Sequence, residues 1–250
     1  MILRLLGAVW FLAAAAGNGS PSVAGPSALP SPDTIMERVL KASETEEANE
    51  KAFREHYAWY RVRVMQEFNG DGEVTKTERT KKDFYPAHRP EQSLQPSQSA
   101  TNQPNYREKD FVLTKELLSR FTFNLAKRET FNGRSTLVLD FQPAARKLPS
   151  STLKDKFINQ TAGRLWIDEE ESVVTRASIH LQDQVNIAGG LAGAVKLFQY
   201  NFERVRTPEG VWYVTKSDWK LQAREFLAQK RLTFEEHKEN VLRLRKTPAR

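Results

Sequence analysis

The segment GRLWIDEEESVVTRASIHL, residues 163–181, contains two apolar runs separated by four consecutive acidic residues, Asp168 to Glu171. Apolar and polar residues alternate in both runs, with Leu165 and Ile167 before the acids and Ala177 after them. A period of two indicates strands that bury one face. Charged residues between two such strands are typical of a turn in water. The segment therefore predicts an antiparallel hairpin with its acidic residues at a solvated tip.

Four clustered carboxylates are also a residue type used for metal binding and for acid/base chemistry. An enzyme that used them would lose its activity or its metal on the substitution Asp168→Asn. The four histidines are scattered, and the chain contains no G-x-S-x-G, no phosphate loop and no G-x-G-x-x-G. Because these motifs carry the first residues of the corresponding chemistries, we expect no catalytic residue, no metal site and no cofactor.

Other hairpins are predicted along the chain by turn residues between alternating segments. These turns are Asn69–Gly72, Asn132–Gly133 and Thr207–Gly210. No segment of helix length joins one late strand to the next, which favours antiparallel pairing. A sheet of many long strands must twist and curl. The sequence thus predicts an α+β fold: a strongly curved antiparallel sheet, an open half barrel, wrapped around helices.

Two helices are predicted to fill the concave side of this sheet. Ser31 is placed as the N-cap and Pro32 at the first position of a helix that runs towards His56. A second short helix is predicted within residues 109–123. The apolar residues of the concave face are the candidates for lining a ligand cavity: Tyr60, Val62, Val64, Leu137, Leu139, Phe141, Leu165, Ile167, Ile179, Leu181, Phe198, Tyr200 and Phe202. The same pattern also fits a core filled by the helices, and the sequence does not distinguish these two.

The N-terminus has the layout of a secretory signal peptide. A charged start is followed by a short apolar run and then by small residues. We place the signal peptide at residues 1–24, with cleavage after Ala16 as the alternative, and a flexible linker at 25–33. We therefore expect an exported protein of the periplasm or cell envelope. The chain has no cysteine, which excludes disulfides, zinc–thiolate sites and a cysteine nucleophile.

The rest of the chain is predicted as one domain, residues 34–240. A Pro, Gln and Ser tract at 86–107 is predicted as a mobile surface loop, and residues 241–250 form a basic tail. The formal net charge is +7. Because the basic residues are spread along the chain rather than gathered in one helix, we expect no nucleic-acid partner.

Three motifs resemble the lipoprotein-carrier (LolA/LppX/RseB-like) superfamily: FNGRSTLVLDFQP, GRLWIDEEESVVTRASI and EGVWYVTKSDWKL. The resemblance covers roughly residues 57–240 and is closest to exported bacterial members that share the third motif. It implies an unclosed antiparallel barrel with helices inside and an apolar cavity that accepts acyl chains. It implies no catalytic residues. The long loop at 86–107 departs from the carrier itself.

The segment NIAGGLAGAVKLF, residues 186–198, is the least polar stretch outside the leader. One interpretation is a flexible loop at the cavity mouth that touches lipid or a partner, with Leu191 and Val195 as its contact residues. The other is a helix or kinked strand within the core.

Two functions from different classes are consistent with these features. The first is an envelope protein that binds a lipid, an acyl chain or a lipoprotein in an apolar cavity, as in lipid or lipoprotein transport. The alternative is an envelope-stress regulatory or scaffolding module whose partner is an envelope membrane protein, contacted through the basic tail and the loop at 86–107.

Overall fold

A computed structural model of the protein describes residues 29–86, 113–146, 148–226 and 228–244. The predicted signal peptide, most of the linker, nearly all of the loop at 86–107 and residues 245–250 lie outside the described residues. The helices are α1 Pro32–Ser43, α2 Glu46–His56, α3 Lys115–Leu118 and α4 Leu153–Ile158. The strands are β1 Tyr57–Phe68, β2 Val74–Phe84, β3 Phe121–Phe131, β4 Arg134–Pro143, β5 Thr161–Asp168, β6 Val174–Leu181, β7 Val185–Ile187, β8 Gly193–Arg206, β9 Trp212–Glu225 and β10 Ala228–Arg243.

All of these strands belong to one antiparallel sheet with the order β2-β1-β10-β9-β8-β6-β5-β4-β3, and β7 also pairs with β8. The N-terminal hairpin β1–β2 pairs with the last strand rather than with β3. Consequently β2 and β3 are the two edges, and the sheet does not close. The predicted α+β half barrel is confirmed.

The N-terminal helical region follows its predicted start but divides in two. The Ser31 side chain accepts a hydrogen bond from the backbone N–H of Thr34, and Pro32 occupies the first turn. The helix is interrupted between Ser43 and Glu46. The buried face of α1 is formed by Ile35, Met36, Val39 and Ala42. Helix α1 therefore begins at Pro32, two residues before the predicted start of the domain.

The second predicted short helix is present but ends earlier than the apolar spacing indicates. Of the described residues 113–123, only Lys115–Leu118 are helical, and Phe121 already begins β3. From this residue the period is two, because Phe123 pairs with Phe141 and Leu125 with Leu139 across the β3–β4 ladder. Pairing with a long neighbouring strand thus overrides the helical spacing of the apolar residues.

The predicted hairpin at residues 163–181 is confirmed, but its tip is not a uniformly solvated one. Asp168 is 1% exposed, and its carboxylate accepts from Arg134 Nε at 2.5 Å and Nη2 at 2.9 Å. It also accepts from the backbone N–H groups of Glu170 and Glu171. Glu171 is bound by Arg206 at 2.6 Å and by Trp212 Nε1 at 2.7 Å. These acids are thus engaged in structural bonds, and among them Glu170 is the one most open to water.

Gly163 permits the close approach of β4, β5 and β6. A Cβ at this position would lie 2.1 Å from the carbonyl oxygen of Ser178 and 3.1 Å from Cε1 of Phe141.

We expect Gly163→Ala to lower the free energy of unfolding by about 3 kcal/mol, because backbone atoms must move to accept the methyl group. Urea unfolding measures this change. Gly70→Ala is the control, since a Cβ at Gly70 meets nothing within 4 Å. Equal effects of the two substitutions would contradict the prediction.

A candidate ligand-binding face

The inner face of the sheet can be followed residue by residue through the strand registers. Residues directly opposite each other in adjacent strands point to the same side. One such row runs across eight strands: Leu139, Leu165, Ala177, Phe202, Ser217, Glu236, Arg63 and Thr80. The row begins apolar in β4 and ends polar and charged in β10, β1 and β2. The inner face therefore has an apolar end and an ionic end.

A parallel row is richer in aromatic residues. Its members are Phe141, Gly163, Ile179, Tyr200, Trp219, Phe234 and Met65. The rings of Trp219 and Phe234 stack with centroids 5.4 Å apart. This row carries apolar surface further towards β1 than the first one does.

Helices cover the apolar end. Ile35, Met36 and Val39 of α1 belong to the same core cluster as the sheet residues, and Phe157 of α4 packs on Phe198 with ring centroids 5.4 Å apart. Most of the sheet residues beneath them are buried. Within the described residues α1 and α4 thus cover the apolar end.

The ionic end lies under α2. Glu236 of β10 accepts from Arg63 Nε at 2.5 Å, and Arg204 of β8 meets Glu46 of α2 at 3.3 Å. Burial raises the pKa of Glu46, while the Arg204 guanidinium opposes that rise. Removing charges from water is costly unless they are paired, which explains the alternation of signs in this cluster.

Two cations of the ionic end have no carboxylate bonded to them in the described residues. Lys238 donates to the backbone carbonyl of Val214 at 2.8 Å. Burial lowers its pKa to about 8, partly opposed by Glu236 and reinforced by Arg61 and Arg204. The Arg61 guanidinium lies 4.7 Å from the ring centroid of Phe84, and burial also lowers its pKa. The ionic end is therefore poorer in negative charge around these two groups.

Most of the predicted cavity residues come together at the apolar end. These are Leu137, Leu139, Phe141, Leu165, Ile167, Phe198, Tyr200 and Phe202, with Ile179 and Leu181 partly buried against them. Their ligand-binding role remains a prediction.

The structure does not bring Tyr60, Val62 and Val64 to this cluster. Val62 pairs with His237 and with Lys81, on the face opposite to that of Arg63 and Glu236. Lys81 lies over the Tyr60 ring at 4.7 Å and bonds Glu239 at 2.7 Å. The charged side chains of neighbouring strands thus cover this outer apolar strip, and the inner face of β1 carries Arg61 and Arg63.

The glycine-rich segment separates its two predicted contact residues. Val195 is buried in the core cluster on β8, whereas Leu191 is 85% exposed in the turn that follows a short 3₁₀ helix, Ala188–Gly190. The segment is therefore a kinked strand pair, β7 and β8, joined by an exposed apolar turn.

Some residues of the site were missed from the sequence. Phe157 lies on α4, whose start has a reciprocal capping box between Thr152 and Asp155. The pattern Thr-x-x-Asp before an apolar run was the available signal. Trp219 and Phe234 belong to strands that were predicted, but no signal within each strand indicated which face is inner.

No group of three or more His, Cys, Asp or Glu side chains in the described ranges is arranged to hold a metal ion. No helix in those ranges is both long and apolar enough to cross a bilayer. A depression of about 440 Å³ lies on the outer face of β4, β5 and β6, between polar side chains such as Asp140, Arg164 and His180.

The fold and its inner face define an open antiparallel half barrel, apolar at one end and ionic at the other. No family model and no curated protein sequence matches the chain. Among solved structures it is similar to a putative outer membrane lipoprotein-sorting protein domain from Vibrio parahaemolyticus, with 10% identity over 87% of this chain and 93% of that one and a TM-score of 0.33.

The chain is also similar to a LolA superfamily protein from Nitrosomonas europaea, with 12% identity over 86% of this chain and 94% of that one and a TM-score of 0.31. A third similar structure comes from the MucA/MucB complex of Pseudomonas aeruginosa, with 8% identity over 82% of this chain and 93% of that one and a TM-score of 0.24.

Proposed function

We propose that the chain is an exported, non-catalytic binding protein of the cell envelope that holds an acyl chain, from a lipid or a lipoprotein, against the inner face of its sheet. The observation that carries the proposal is the continuous apolar surface from β4 to β10, which changes to an ionic end at β1 and β10. An amphiphile has the same division into an apolar and a charged part. Its binding requires buried area and no catalytic constellation.

Helix α1 is the element that we expect the ligand to displace. The hydrogen bonds of its Ser31, Thr34 and Ser43 side chains stay within α1 and its N-cap. In contrast, α2 is tied to the sheet, because the Asn49 amide both accepts from Trp212 N at 2.9 Å and donates to Trp212 O at 2.7 Å. Helix α1 is thus held mainly by apolar contacts with the sheet. An acyl chain can make apolar contacts with the same sheet residues in place of the helix.

The length of chain needed for this exchange follows from burial energies. Exposing Ile35, Met36 and Val39 costs about 1.5–3 kcal/mol each, and each methylene withdrawn from water returns about 0.8 kcal/mol. Roughly six to eleven methylenes therefore offset the loss of α1. Shorter acyl chains are expected to leave the helix in place.

We predict that fluorescent long-chain fatty acid binds to the purified protein, and that octanoate displaces it far less well than palmitate. Mass spectrometry of an organic-solvent extract of protein from envelopes should also yield a bound lipid. Absence of uptake at every chain length, together with a lipid-free extract, would overturn the proposal. A membrane protein that co-purifies with such lipid-free protein is the result expected of a regulatory module.

The role of α1 has its own test. Val39→Ala weakens the contact of α1 with the core, so we expect tighter binding of the fatty acid, by roughly tenfold, together with a loss of about 1–2 kcal/mol in unfolding free energy. Glu37→Ala, on the exposed face of the same helix, should change neither quantity. Weaker binding by Val39→Ala would show that α1 is part of the binding surface instead of its competitor.

A further inference from the structure

Two turns meet at one end of strands β8, β9 and β10. The Arg224 guanidinium donates to the carbonyl oxygens of Gly190 and Phe226, both at 2.8 Å. The backbone N–H of Phe226 donates to Ala192 O at 3.3 Å. We call these segments, Gly190–Gly193 and Arg224–Phe226, the β8–β10 tip. The bonds between the two turns make the tip one unit.

Glycine is required where the two turns approach. Gly193 has a φ of +143°, and a Cβ there would lie 2.2 Å from the carbonyl oxygen of Arg224. The close contact of β8 with the end of β9 therefore depends on the missing side chain.

At the tip, the pairing of β10 with β9 continues past the last residue that pairs with β1. Pairing of β1 with β10 ends at Phe68 and Arg231, whereas pairing of β9 with β10 continues to Glu225 and Ala228. These three further residues of β10 extend the strand by about 10 Å.

The tip exposes two large apolar side chains. Leu191 is 85% exposed and Phe226 is 67% exposed, the two highest values for large apolar residues in the described ranges. Phe226 also has a φ of 51°, in the left-handed region that is unfavourable for a residue with a Cβ. Exposure of the aromatic ring to water and the positive φ of the backbone are each unfavourable in free energy. Such a combination is typical of a contact site.

Cations lie at the tip and on the strands next to it. Neither Arg224 nor the exposed Lys196 has a carboxylate partner in the described residues. Lys230 bonds to Glu225 at 2.9 Å, and Glu225 is the acidic residue of the tip. The tip itself carries Arg224 and Glu225, and with Lys196 and Lys230 of the adjoining strands the three cations outnumber the one acid, in a chain whose formal net charge is +7.

We propose that the β8–β10 tip inserts Leu191 and Phe226 into the headgroup region of an anionic lipid bilayer. Anionic headgroups attract cations, and the boundary between headgroups and acyl chains accommodates apolar side chains. A tip that has both kinds of group therefore suits this surface. A protein partner needs about 800 Å² of contact on each side, far more than two side chains on a narrow tip provide. The inference goes beyond ligand binding in the sheet and does not rest on it.

Co-sedimentation of the whole protein with vesicles tests the inference. We expect binding to vesicles of mixed phosphatidylcholine and phosphatidylglycerol, with weaker binding to phosphatidylcholine alone and at high salt. The double substitution Leu191→Ser with Phe226→Ser should weaken binding at least about tenfold. Leu242→Ser is the matched control, because Leu242 is 63% exposed at the other end of β10, and it should bind as the unchanged protein does.

A further variant separates loss of contact from loss of folding. Phe226→Gly removes the ring and suits the positive φ, so we expect weaker vesicle binding with an undiminished unfolding midpoint. Wild-type protein that does not bind anionic vesicles, or a double variant that binds them equally, would overturn the proposal. So would self-association that the double variant abolishes without any vesicle binding, which would assign the tip to a second copy of the chain. Uptake of fatty acid by the inner face should be unchanged in all these variants.

Discussion

Replacing Asp168 by alanine is expected to lower the free energy of unfolding by about 3 kcal/mol. The Asp168 side chain is 1% exposed and receives two hydrogen bonds from Arg134, a guanidinium whose pKa is raised chiefly by these bonds. Removing one partner of a buried ion pair leaves the charge of the other partner unpaired, which lowers the free energy of unfolding by about 3–5 kcal/mol. Arg134 is partly exposed and retains Glu170 and Glu171, so the lower end of that range applies.

Urea unfolding of three variants checks this expectation. Glu170→Ala removes another carboxylate of Arg134, but one that is 79% exposed, and should cost less than about 1 kcal/mol. Asp168→Asn keeps an oxygen that can accept from the backbone N–H groups of the turn. Its loss of unfolding free energy should therefore lie between those of Asp168→Ala and Glu170→Ala. Similar losses for Asp168→Ala and Glu170→Ala would contradict a buried structural role for Asp168.

Replacing Lys238 by methionine is expected to raise the free energy of unfolding at pH 7 by up to about 3 kcal/mol. Burial lowers the pKa of Lys238 to about 8 from 10.5, and each unit corresponds to about 1.4 kcal/mol. Below pH 8 the folded protein carries the whole cost of holding this charge away from water. Between pH 8 and 10.5 the unfolded chain binds the proton more tightly, so stability rises with pH. Methionine keeps the apolar stem and removes the charge.

The pH dependence distinguishes this mechanism from a change in packing. The difference in unfolding free energy between Lys238→Met and the unchanged protein should shrink as the pH rises from 8 to 10.5. Lys216→Met, at an exposed position of β9, should show no such trend. Parallel stability curves for Lys238→Met and the unchanged protein would refute a buried charge at this position.

Local signals in the sequence were sufficient for much of the fold. Glycine and asparagine turns between alternating segments predicted the hairpins, and Ser31 with Pro32 predicted the start of α1. These features depend on interactions within a few residues. The end of the second helix was missed because Phe121 takes its conformation from β4, a strand that the local pattern does not include.

The candidate site was predicted less completely because a period of two does not say which face of a strand is inner. For β1 the apolar residues Val62 and Val64 suggested the wrong side of the sheet for core packing. Arg63 faces inward beside Glu236 of β10, a strand far away in the sequence, and Arg61 shares that face although its partner in β10 is the cation Lys238. The burial of Asp168 likewise depends on Arg134 from the preceding hairpin. Such pairs cannot be read from either segment alone.

The inner face changes from apolar at Leu139 in β4 to charged at Arg63 in β1, and this change affects the orientation of a molecule bound to it. Tightly packed apolar side chains line the β4 end, whereas the β1 end holds charged side chains that are only partly withdrawn from water, such as Arg63 and Glu236, so the two ends of the inner face differ in polarity. The acyl ligand that we propose is therefore expected in a single orientation, its charged head towards β1 and its tail towards β4. We expect any handover of this ligand to another protein to proceed with a fixed end leading.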